Sequence, residues 1–117
     1  MKVKEFYESV GGSYEDVLER FGTEILIKKF LIKFLDDKSF SVLEQKIQSS
    51  VQDVQEKFRA CHTLKGVCLN LGLECLCKPV IALTEVFRSG STEGEEALFN
   101  EIKKQYELVC KKLKTLE

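Results

Sequence analysis

Between Val51 and Leu71 the apolar residues Val54, Phe58, Cys61, Leu64, Cys68 and Leu71 recur at steps of four, three, three, four and three. That rhythm places them on one face of an α-helix, whereas a half-buried strand would alternate at every second residue. The same period runs through the rest of the chain. After a Thr23 cap, Ile27, Phe30, Leu31 and Phe34 form a stripe with Lys28, Lys29 and Lys33 opposite, and from about Ser39 so do Phe40, Leu43 and Ile47. Leu73, Leu76, Val80, Leu83 and Phe87 make another, and Leu98, Ile102, Val109, Leu113 and Leu116 the last. No segment sustains a two-residue alternation, so the fold class is all-α.

Punctuation sets the ends of these helices. Gly11-Gly12, Gly22, Asp36-Asp37, Gly72 and Ser89-Gly90 interrupt the pattern. Ser13 caps a short helix carrying Tyr14, Val17, Leu18 and Phe21, and Gly72 is placed to end the 51–71 helix in a left-handed conformation. Thr92 and Glu95 have the spacing of a capping box for the last helix. Pro79, inside the fifth stripe, predicts a kink or a late helix start. Short connections between helices of similar length favour antiparallel neighbours. The expectation is one domain over 1–117, an antiparallel up-and-down four-helix bundle with additional short N-terminal helices. Its core would use the helices beginning near 23, 51, 73 and 92, and the pattern leaves open whether the helix from Ser39 joins them or only connects.

Charge and cysteine content narrow the function. Eighteen Lys and Arg stand against nineteen Asp and Glu, a formal net charge of -1, so no broad field attracts nucleic acid or anionic lipid. The lysine-rich faces at 28–33 and 103–114, the second interleaved with Glu and Gln, read as solvated helix sides. The charged start Met1-Lys2-Val3-Lys4-Glu5 lacks a signal-peptide core, and every apolar stretch is broken by charge, which predicts a cytoplasmic protein that does not enter a membrane. Cysteines 61, 68, 75, 77 and 110 are odd in number and set among apolar residues, as expected of reduced, mostly buried thiols. Cys61 and His62 diverge by about 100° on a helix, and no pair has zinc-ligand spacing, so no metal site is expected.

His62 is the sole histidine. On the 51–71 helix it lies roughly 100° from the centre of the apolar stripe, at the border of core and solvent. Lys65, Gly66 and Leu69 follow at i+3, i+4 and i+7, near the same edge. A neutral imidazole is a competent nucleophile near neutral pH, and a lysine beside it can meet the charge on phosphoryl oxygens. Glycine in mid-helix costs about 1 kcal/mol relative to alanine, which calls for a steric reason such as the close approach of a partner.

The run Cys61-His62-Thr63-Leu64-Lys65-Gly66-Val67-Cys68-Leu69-Asn70-Leu71-Gly72 resembles the signature of histidine-containing phosphotransfer (HPt) domains, His-x-x-Lys-Gly followed by Asn-x-Gly at the helix end. A looser similarity extends from about Gly12 to the C-terminus. The resemblance implies a phosphorelay intermediate with no kinase activity of its own. His62 would be the phosphoacceptor, Lys65 the phosphoryl charge partner and Gly66 the docking clearance. Its partners would be the receiver domain of a response regulator and a histidine kinase or hybrid kinase, with no cofactor on this chain and magnesium on the receiver. Leu69 would join an apolar docking ring, together with residues of the helix from Thr23. In a hairpin turning near 72, Thr84, Glu85 and Arg88 come within range of His62. Some family members carry an amide or carboxylate at the place of Thr84 that orients the imidazole, and threonine departs from that pattern.

Two other readings compete. A lone histidine at the edge of an apolar stripe is ordinarily a surface or packing residue, and the bundle would then be a helical adaptor that is never phosphorylated. A general-base enzyme is the weaker rival, because no carboxylate or nucleophile is placed beside His62 by sequence. No phosphate-cradling glycine loop or ATP-binding signature is present. The expected oligomeric state is a monomer.

Overall fold

Side-chain caps set the first helix boundaries. In a computed structural model describing Met1–Glu117, the Ser13 hydroxyl accepts from the Asp16 amide and the Thr23 hydroxyl from the Leu26 amide. They open α2 (Tyr14–Phe21) and α3 (Glu24–Phe34), while α1 (Val3–Ser9) precedes both. Then follow α4 (Ser39–Gln48), α5 (Val54–Leu71), α6 (Glu74–Arg88) and α7 (Glu95–Leu113), with no strand. The architecture is an all-α, antiparallel helical bundle with short N-terminal helices at one end.

The membership of the bundle differs from the expectation in one arm. α5 packs against α6 on one side and α4 on the other, with α7 behind α6. The helix from Ser39 is therefore a full bundle member. α3 covers only the C-terminal end of α5, where Phe30 and Phe34 face Val67, Asn70 and Leu71. Aromatic packing explains the exchange: Phe40 of α4 stacks on Tyr106 and Phe99 of α7, at ring-centroid distances of 4.1 and 5.7 Å. Phe34 of α3 reaches the same Tyr106 edge-on. α3 and α4 thus form successive halves of one side of the bundle.

Three other expectations change. α5 starts at Val54 rather than Val51, because Asp53 accepts from the amides of Gln55 and Glu56 and fixes the cap there; Val51 is left exposed. α6 begins at Glu74 and runs through Pro79, so there is no late start. The Thr92–Glu95 capping box does not form. The cap residue of α7 is Gly94, at φ 76°, and the Glu95 carboxylate instead binds the buried ammonium of Lys57 at 2.5 Å.

α1 and α2 close the end of the bundle where α5 stops. The four last carbonyls of a helix lack partners within it. Here the buried Tyr7 hydroxyl donates to Leu71 O at 2.8 Å, and the Arg20 guanidinium donates to Leu69 O and Asn70 O at 3.2 and 2.7 Å. Gly72, at φ 68°, makes the left-handed turn into α6. α5 is therefore fixed at both ends.

Candidate functional site

The His62 side chain is exposed on α5 although its neighbours Cys61 and Leu64 are fully buried. The apolar stripe dictates this: burying 57, 61, 64, 68 and 71 turns 62, 66 and 69 outward. Leu69, at 45% exposure, lies on the same line two turns on, and Lys65 is half-buried at its edge. His62, Lys65, Gly66 and Leu69 thus share one open face, as their spacing predicts.

Gly66 has no neighbour that requires it. A Cβ built on its backbone meets nothing within 4 Å, and its φ is an ordinary helical one. Gly12 and Gly72 contrast with it, since a Cβ there would lie 2.5 Å from Gly72 O and 2.7 Å from a Val17 methyl respectively. Helix crossing therefore does not account for Gly66. Its bare backbone faces solvent one turn beyond the imidazole.

The ammonium of Lys65 takes part in none of the ion pairs of the structure. It is left as a positive charge at the edge of the His62 face. Behind it, burial pushes the Cys61 thiol up to about 11, a rise opposed by the Thr84 hydrogen bond and the charge of Lys65.

The residues of α6 divide. Thr84 is fully buried, its hydroxyl donating to Val80 O at 2.7 Å and lying 3.2 Å from Cys61 Sγ. It faces the core and is not brought to the imidazole. The reason is register: Thr84 meets Cys61, the inward neighbour of His62. Glu85 and Arg88 are exposed and joined to each other, Arg88 Nε to Glu85 Oε1 at 3.2 Å. Arg88 also lies over the Phe58 ring, with Cζ 5.0 Å from its centroid.

Phe58 is the site neighbour that the sequence reading assigned only to the core stripe. Its ring centroid is 5.6 Å from that of His62, the planes inclined at 37°. The i, i+4 spacing of an aromatic and a histidine on one helix was the available signal. The remaining thiols are remote from this face: Cys68 and Cys77 are buried, Cys75 and Cys110 half-buried, and all five are free. No three His, Cys, Asp or Glu side chains converge as a metal-binding group.

The larger surface hollows do not include His62. The groove between α4 and α5 is lined by Lys46, Glu56, Arg59 and Thr63 among others and passes beside the histidine without enclosing it. A small-substrate site normally surrounds its ligand. Here His62 stands on open surface, an arrangement suited to a reactive group supplied by a docking protein. No helix is long and apolar enough to cross a membrane.

Comparison with curated proteins and with solved structures returns no match. The family model of the Hpt domain matches residues 29–112, which leaves α1 and α2 outside it and covers the whole of α4 to α6. Domains of this family pass phosphoryl groups by way of histidine in two-component signalling, with response regulators and kinases as partners, and are in general phosphocarriers rather than kinases. By the extent of that match, the chain belongs to the Hpt domain family.

Proposed function

We propose that His62 accepts a phosphoryl group and exchanges it with an aspartate of a response-regulator receiver domain. In the loading step the lone pair of an imidazole nitrogen attacks phosphorus of a receiver acyl phosphate. The N–P bond forms, the O–P bond breaks, and the electron pair leaves on the aspartate carboxylate. Unloading reverses these roles with a second receiver, and loading from a histidine kinase or hybrid kinase closes the relay. Lys65 offsets charge on the phosphoryl oxygens, and Gly66 lets the receiver approach. Magnesium belongs to the receiver's acidic pocket in this reading, with no cofactor on the chain. The domain, spanning 1–117, works as a cytoplasmic monomer.

The observation that carries the reading is the open space over Gly66 beside an exposed His62. A mid-helix glycine with no packing role costs stability, and a docking partner gives that cost a purpose. Incubation with a phosphorylated receiver tests it. The expected product is acid-labile, alkali-stable label on this chain that disappears in His62→Gln; label that persists in the variant rejects His62 as the acceptor, and none from several receivers rejects the assignment in favour of an unphosphorylated adaptor.

A further inference from the structure

Imidazole orientation is the part of the site that the Thr84 geometry leaves without support. The Thr84 hydroxyl is turned to Val80 O and Cys61 Sγ, so α6 supplies no hydrogen bond to His62 through it. The ring that does meet the imidazole is Phe58, one turn earlier on α5. Phe58 is half-buried and packs on the core, so its own rotation is restricted. Arg88 covers its ring from α6, and Glu85 holds the guanidinium of Arg88. Glu85, Arg88, Phe58 and His62 therefore form a continuous series from one helix to the next.

We propose that Phe58 is the positioning residue of His62, held by Arg88, in place of a polar group on α6. The proposal rests on His62 being the phosphoacceptor. A flat ring against one flank of the imidazole limits its rotation without occupying either nitrogen, so both stay available for attack and proton exchange. Restricting a nucleophile to near-attack orientations accelerates transfer, and displacements of the order of 1 Å can cost about a hundredfold. Glu85 and Arg88 act at one remove from the imidazole.

Three variants test this: Phe58→Leu keeps apolar volume but removes the ring, Phe58→Tyr keeps the ring, and Arg88→Met removes the guanidinium. NMR couplings and relaxation of the His62 side chain in the free protein should show wider rotamer averaging in Phe58→Leu, a smaller change in Arg88→Met, and wild-type order in Phe58→Tyr. Within the receiver complex, transfer should slow roughly fivefold or more in Phe58→Leu, with receiver affinity within about twofold and recovery in Phe58→Tyr. An imidazole equally ordered in folded Phe58→Leu overturns the proposal, as does wild-type transfer in that variant or a loss explained by weaker docking alone. Failure of the wild-type chain to label would count against the phosphoacceptor reading, while the NMR comparison would still decide the positioning role.

Discussion

At the residue scale, Gly66 separates stability from function. Its Cβ position is open, so alanine gains helix propensity without a clash. Gly66→Ala should stabilise the fold by about 0.5 to 1 kcal/mol in urea denaturation. Gly66→Gln should remain folded yet slow receiver transfer at least about tenfold, because a longer side chain fills the clearance. A transfer rate unchanged in Gly66→Gln would remove the docking role. The sequence made this face legible because helical spacing alone puts His62, Lys65, Gly66 and Leu69 together. It did not make the orientation of Thr84 legible, since that depends on how α6 registers against α5, and it offered Phe58 only through its i, i+4 spacing from His62. One residue of register decides whether a side chain meets Cys61 in the core or His62 at the surface.

At the element scale, the C-terminal end of α5 is held by groups distant in sequence. Gly72 turns the chain through a left-handed conformation while lying against Val17, and Tyr7 and Arg20 supply donors to the last carbonyls. Gly72→Ala should destabilise by more than about 2 kcal/mol, since it adds left-handed strain to a methyl clash. Thermal and chemical unfolding measure that directly, and a loss below about 0.5 kcal/mol would show that the turn relaxes easily. The helix end at Gly72 could be read from sequence, as could the Ser13 and Thr23 caps, because these are local chemistry. The capping role given to Glu95 failed because a tertiary partner, Lys57, takes its carboxylate. α1 went unassigned for a related reason: its buried Val3, Phe6 and Tyr7 gain their meaning only against the end of the bundle.

At the scale of the whole molecule, one hydrophobic core joins residues from Val3 to Leu113, and the Lys57–Glu95 pair ties the start of α5 to the start of α7. Breaking that pair from one side leaves a buried ammonium uncompensated. Glu95→Gln should therefore cost about 2 to 4 kcal/mol, and adding Lys57→Met should recover most of it. A double variant as unstable as the single one would mean that the Lys57 stem, not its charge, is what the core needs. The bundle class was legible from periodicity; which helices stand side by side was not, because the stacking of Phe40 on Tyr106 is a long-range match that no stripe announces. All of this scaffolding leaves one imidazole exposed, and the direct test of its proposed role is the bond that imidazole forms. After reaction with a phosphorylated receiver, nitrogen-15 NMR of the labelled chain should show phosphorus coupling on a ring nitrogen of His62. Phosphorus attached to any other residue, with the His62 nitrogens unchanged, would contradict the account.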